Sequence, residues 1–138
     1  MMAELIQDRI KRHEGLLLFP YLDTTGNITV GWGHNLSASG ITEHEAETLF
    51  ADDFDRAVRQ YEQLPGWVKS KCNEVRREVL ISMIFQLGFT GVLLFKKMLK
   101  AIMVGDYSKA AEEIIDSKGC RQCPNRFHEH ALRMRSGT

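Results

Sequence analysis

At 138 residues, with 43% hydrophobic and 26% charged side chains, the chain has room for one compact domain and enough apolar material to bury a core unaided by disulfide or metal. That composition excludes a disordered chain, and the longest apolar runs, Val79 to Phe85 and Val92 to Phe95, are too short or interrupted to span a bilayer. Eighteen basic and eighteen acidic residues cancel formally, yet residues 1–60 carry a balance of −5 and residues 61–138 one of +5. A basic half attracts polyanions in general: nucleic acid, anionic lipid or the phosphate-rich polymers of a cell wall.

The N-terminal residues carry charges every few positions and no continuous apolar stretch. That is not a signal peptide, so the expectation is a protein made and first held in the cytoplasm. Leu5, Ile6 and Ile10 recur at helical spacing and predict a short amphipathic helix over residues 3–13. Alternating and β-branched residues follow, and Thr24-Thr25-Gly26-Asn27 between Tyr21-Leu22 and Ile28-Thr29-Val30 reads as the turn of a small β-hairpin. Gly31, Gly33 and Gly40 then punctuate a loop. Thr42-Glu43-His44-Glu45 is a capping-box pattern that opens a helix. It should run to about Leu64, where Pro65-Gly66 stops it, a length able to join two lobes.

Beyond it the pattern is helical throughout: residues 74–87, 92–104, 107–117 and 125–135. The fold class expected is α+β, mainly α. A helix and β-hairpin form an N-terminal lobe of about residues 14–45, and a long helix of about residues 42–64 joins it to an all-helical lobe of about 65–138. The whole is read as a single domain, with the first helix packing near the second lobe.

Three residue types at intervals along the N-terminal third suggest chemistry. Glu14 ends the first helix, Asp23 opens the hairpin turn nine residues on, and Thr29 lies on the returning strand six further. One carboxylic acid, one carboxylate and a hydroxyl around a cleft are the minimal kit for glycoside hydrolysis. As spacing alone the pattern is weak, because two acids nine residues apart occur in most proteins.

The residues around them carry a resemblance. His13-Glu14-Gly15-Leu16, Tyr21-Leu22-Asp23-Thr24-Thr25-Gly26 and Ile28-Thr29-Val30-Gly31-Trp32-Gly33-His34 resemble the active-site stretch of phage-type lysozymes (endolysins), glycoside hydrolase family 24. The likeness continues through Ile41 to Asp53, through Glu74-Val75-Arg76-Arg77, Phe85-Gln86-Leu87-Gly88 and Gln122-Cys123-Pro124-Asn125-Arg126, and ends at Arg135-Ser136-Gly137-Thr138. It implies a lysozyme-like fold and hydrolysis of the β-1,4 bond between N-acetylmuramic acid and N-acetylglucosamine in peptidoglycan. Glu14 would be the general acid, holding its proton through burial or a neighbouring carboxylate, and Asp23 and Thr29 would position the water. Inversion is implied, with carboxyls roughly 6.5–9.5 Å apart.

The resemblance further implies a structural ion pair between His34 and Asp53, and a saccharide-contacting surface at Phe85 and Gln86, with Gln122 and Arg126 at its rim. It implies no metal, no cofactor, no nucleic acid and no stable membrane insertion. It also implies a monomer, and a separate holin-type partner that admits the enzyme to the periplasm and cell wall. The chain departs from longer members in a short loop between His34 and Thr42, in stopping at Thr138, and in having Gly119 and Cys120 where an aromatic pair is common, which should loosen the packing there.

Other readings stay open at this point. A lytic transglycosylase would need the acid without the water-holding pair, and a silent wall-binding module would need none of the three. Nucleic-acid binding rests only on the basic half. Cys120 and Cys123, followed by His128 and His130, invite a zinc reading, but the intervals are far shorter than a finger's and the two histidines lie on different helix faces. Cys72 is a third, isolated thiol, and an odd number of cysteines fits a reducing compartment.

Overall fold

The computed structural model describes residues 3–138, and the chain divides into two compact units, Met1–Thr48 and Leu49–Thr138. In the first, α1 (Ile6–Glu14) carries Asp8 in its opening turn and Lys11, Arg12 and His13 in its last, each sign where the helix dipole favours it. Gly15, at φ 72°, ends it. Three strands follow as an antiparallel sheet in the order β1 (Leu17–Leu22), β2 (Ile28–Gly31) and β3 (His34–Asn35).

Leu22 pairs with Ile28 and Tyr21 with Thr29, but Leu17 pairs with Gly31, so the register shifts between Leu17 and Tyr21. Pro20 lies in that shifted stretch and has no N–H to give a ladder, which suits it to such a bulge. The glycine-punctuated loop expected after Gly31 contains more structure than its composition suggests. Val30 pairs with His34 and Thr29 with Asn35, and a one-turn helix, α2 (Leu36–Ser39), follows with the Asn35 side chain accepting from Ala38 N–H at 3.0 Å.

The capping box forms as its pattern predicts. Thr42 Oγ1 accepts from Glu45 N–H at 3.1 Å and Glu45 Oε1 accepts from Thr42 N–H at 2.9 Å, satisfying two donors free at a helix start. The helix they open is α3 (Glu43–Glu62), and the boundary between the two units falls within it. These hydrogen bonds also hold the Glu45 carboxyl below its usual range.

The second unit contains the hydrophobic core. Its helices are α4 (Gly66–Lys69), α5 (Glu74–Leu87), α6 (Phe89–Leu93), α7 (Lys96–Met103), α8 (Tyr107–Ile115), α9 (Lys118–Gln122) and α10 (Pro124–Ser136). Every member of the buried apolar cluster, from Ala57 to Met134, lies here. Helix α5 buries Val79, Leu80, Ile81, Met83 and Ile84, and α10 packs against α8, α5 and α9.

The single helix expected over residues 92–104 is two. Leu94 and Phe95 separate α6 from α7, and Phe95 has φ −78° and ψ 58°, outside the helical region. Apolar periodicity continued across this break because both pieces bury a face. Helix α9 falls where no helix was expected, opened by Ser117, whose hydroxyl accepts from Cys120 N–H at 3.0 Å.

The sequence reading of loose packing at Gly119 and Cys120 is corrected. Phe127 is fully buried, and a methyl on Gly119 would come within 2.5 Å of its Cζ. The aromatic ring arrives from α10 and occupies the space that a side chain at residue 119 would need. The family-like stretches at residues 74–77 and 135–138 also meet. Arg76 donates from Nε to Met134 O at 2.7 Å and from NH2 to Arg135 O at 3.0 Å, while Asn73 Nδ2 donates to Gly137 O at 2.9 Å.

Candidate active site

Glu14, Asp23 and Thr29 all belong to the first unit, so their setting is built by α1 and the small sheet. Glu14 is the last residue of α1, and its carboxyl lies against the turn between β2 and β3. A methyl on Gly33 would meet Glu14 Oε2 at 2.6 Å and Cδ at 2.9 Å. Gly33 has φ 75°, so both the backbone and the carboxylate exclude a side chain there.

Asp23 extends the ladder of β1 by one hydrogen bond, its N–H donating to Asn27 O at 2.9 Å. Its side chain turns onto the hairpin. Oδ1 accepts from Thr25 N–H at 2.9 Å, Thr25 Oγ1 at 2.8 Å and Asn27 N–H at 2.8 Å. This is the habit of an aspartate opening a turn, bonding to donors two and four residues on. The Asn27 N–H and the Thr25 hydroxyl hold the Asp23 carboxyl below the usual aspartate range, since hydrogen bonds to the charged form favour it.

Thr29 is buried, and its hydroxyl donates to Asn27 O at 3.0 Å. Because Thr29 pairs with Tyr21 and side chains alternate along a strand, Tyr21, Asp23 and Thr29 share one face of the hairpin. Glu14 itself is exposed.

Of the other site residues nominated by sequence, His34 belongs to the first unit and Asp53, Phe85, Gln86, Gln122 and Arg126 to the second. His34 Nε2 donates to Gly40 O at 2.6 Å in the first unit, and Asp53 Oδ1 accepts from Arg56 NH1 at 3.2 Å in the second. Phe85 and Arg126 line one groove of the second unit, of about 390 Å³, together with Phe50, Phe54, Arg77 and Glu78. The Phe50 ring lies 5.6 Å from Phe85, tilted by 49°, and 6.0 Å from Phe54, stacked within 20°, centroid to centroid, within the range of favourable aromatic pairs.

Gln86 points elsewhere, as the neighbour of Phe85 on a helix must. Its Nε2 donates to Cys123 Sγ at 3.5 Å, and its Oε1 is buried with no donor among the described residues. Gln122 lines a different cavity, of about 610 Å³, beside Leu87, Phe95 and Lys118.

Sequence reading missed Thr25, Asn27, Gly33 and Phe54. An aspartate before Thr-Thr-Gly is a recognisable turn signal, and Phe50 and Phe54 are four apart on a helix; neither pattern by itself marks a site.

All three cysteines are free. Burial pushes the Cys72 thiol up, and it pushes the neighbouring Tyr61 phenol up to about 12. Among the described residues no three His, Cys, Asp or Glu side chains gather as metal ligands, and no helix is long and apolar enough to cross a membrane.

A mainly helical fold with one small three-stranded antiparallel sheet is that of the lysozyme-like α+β class. Comparison with known proteins agrees: residues 11–121 match the family described as phage lysozyme, and the chain belongs to that family. It is a glycoside hydrolase, and its substrate is peptidoglycan.

Among its relatives are two proteins of Dictyostelium discoideum described as probable T4-type lysozymes 1 and 2. They are 29% and 27% identical over alignments of 165 positions, each covering 99% of this chain and 97% of the relative. The alignments are longer than the chain, so these relatives carry insertions that it lacks. The pre-baseplate central spike protein of Enterobacteria phage T4 is 31% identical over 91% of this chain and 26% of its own length.

Proposed function

We propose that this lysozyme hydrolyses the β-1,4 bond between N-acetylmuramic acid and N-acetylglucosamine with inversion, Glu14 acting as general acid and Asp23 with Thr29 positioning the attacking water. The observation that carries the reading is the hairpin register. Asp23 and Thr29 lie on one face of the same two strands, and the carboxyl of Glu14 is held against the next turn by a glycine that can carry no side chain.

Each residue then has one task. Glu14 delivers its proton to the glycosidic oxygen as the bond breaks. Asp23, ionised, takes a proton from the water as it attacks the anomeric carbon from the opposite side. The Thr29 hydroxyl hydrogen is committed to Asn27 O, so its oxygen serves as an acceptor and orients the water by its second hydrogen. Phe85 and Arg126 would contribute saccharide contacts, an aromatic face for a sugar ring and a guanidinium for carboxylate or acetamide oxygens.

Muropeptides released from purified walls decide among the chemistries. Glu14→Gln and Asp23→Ala should each lose at least about a hundredfold in rate, Glu14→Gln with its melting temperature little changed. The products should be reducing sugars, heavier by one water than the anhydro products of a transglycosylase, and proton NMR should show the α-anomer first. Anhydro products, a β-anomer first, or unimpaired lysis by Asp23→Ala would each overturn the reading.

A further inference from the structure

Outside the catalytic set proposed above, the densest polar cluster of the first unit is the one that grips Asp23. We infer that Thr25 and Asn27 are positioning residues of this lysozyme, forming a side-chain relay that fixes Asp23 through one oxygen and keeps the other for water. The inference rests on the reading of Asp23 as the water-activating carboxylate.

The relay runs in one direction. Asn27 Nδ2 donates to Thr25 Oγ1 at 2.8 Å, and Thr25 Oγ1 donates to Asp23 Oδ1 at 2.8 Å. Accepting one hydrogen orients the hydroxyl so that its own hydrogen points at the carboxylate, and successive bonds polarise one another. The backbone N–H groups of Thr25 and Asn27 complete the hold on the same atom, at 2.9 and 2.8 Å. Oδ1 thus carries all three of the hydrogen bonds that Thr25 and the Asn27 backbone make to the carboxylate.

A carboxylate with one saturated oxygen has its rotamer set and a single oxygen left to accept a proton. Both side chains are accessible, Thr25 being exposed and Asn27 half-buried, and neither belongs to the hydrophobic core. The cluster therefore serves the turn and the carboxylate it holds.

Thr25→Val keeps the shape and the backbone N–H but removes the hydroxyl; Thr25→Ser keeps the hydroxyl. Asn27→Ala removes the side-chain donor to the Thr25 hydroxyl and leaves the Asn27 backbone N–H in place. Thr25→Val should lose roughly tenfold in kcat, the size expected when a support behind a reacting group goes, with KM nearly unchanged. The acid limb of its kcat/KM profile should move toward neutral pH, because the carboxylate has lost a donor that favoured its charged form. Thr25→Ser should restore both, and Asn27→Ala should shift the limb the same way by less.

Asp23→Ala is measured beside them. If it is inactive while Thr25→Val matches wild type in kcat and acid limb, the relay is refuted and the catalytic reading stands. If Asp23→Ala is active, the catalytic reading fails first. A Thr25→Val protein that loses only melting temperature, with its pH profile unmoved, reduces the cluster to a turn and overturns the inference.

Discussion

Gly33 shows how closely a single residue can constrain the site. Its φ of 75°, and Glu14 Oε2 lying 2.6 Å from where a Cβ would stand, leave an alanine there two faults, a left-handed backbone costing about 1–2 kcal/mol and a collision with the carboxylate. Because Glu14 ends a helix and its side chain can swing away, Gly33→Ala should fold, melt a few degrees lower and lyse walls at least about tenfold more slowly. Lysis at the wild-type rate in a folded Gly33→Ala protein would mean that the contact has no part in catalysis.

His130 illustrates a different residue-scale effect. It is buried, its Nε2 has no partner among the described residues, and burial lowers its affinity for a proton, with Arg126 and Arg133 adding to the effect against Glu129. From α5, Glu78 lines the same small recess. The folded form prefers the neutral ring, so its contribution is whole above the ordinary value near 6.5 and falls away as pH drops below it, where the unfolded chain binds a proton first. Melting temperature should decline on acidification from about pH 6.5, and His130→Leu should flatten that slope. Equal slopes in the two proteins would assign the acid sensitivity to other groups.

Between elements, the end of α10 depends on residues nearly sixty positions earlier. Its last carbonyls would be left without partners in any isolated helix, and Arg76 covers those of Met134 and Arg135 while its guanidinium lies 3.4 Å from the Tyr107 ring centroid. Charge-assisted bonds of this kind contribute about 1.5–3 kcal/mol each. Arg76→Ala should therefore lose about 2–4 kcal/mol of stability by denaturant unfolding, and Arg76→Lys most of that, because an ammonium cannot reproduce the planar fork. Gly119→Ala should cost about 1–3 kcal/mol, since the Phe127 ring is enclosed and cannot yield as a surface side chain would. A melting temperature unchanged in either variant would contradict this account of how α9, α10 and α5 hold together.

For the whole molecule, the two units are built on different terms. All the buried apolar cluster belongs to Leu49–Thr138, whereas in Met1–Thr48 Thr29 is the one buried side chain among the described residues and Leu18 and Phe19 are well exposed. Hydrogen bonds of the sheet and of the Asp23 turn order the first unit, which among the described residues has no buried apolar cluster of its own. Amide exchange should therefore proceed through local opening in β1 to β3, at least about a hundredfold faster than in the interiors of α5 and α10. Protection in the sheet equal to that of α5 would show that the first unit opens only with global unfolding.

Local chemistry determined much of this by itself. The Thr42-to-Glu45 capping box, the boundaries of α5 and the Tyr21-to-Val30 hairpin follow from side-chain bonding and periodicity within a few residues, and the run from Glu14 to Thr29 carried the family likeness that the comparisons support. Other features needed the tertiary structure. Periodicity alone did not show the break at Phe95, because both sides bury an apolar face; composition did not show β3, because two residues pair only when a neighbouring strand is in place. Nor could spacing reveal that Gly119 yields its volume to Phe127, that Gln86 turns to Cys123, or that Arg76 closes α10, since each is a meeting of distant residues in three dimensions. The Asp23 relay lies between these cases: its residues are adjacent in sequence, but which oxygen they occupy depends on how the hairpin folds.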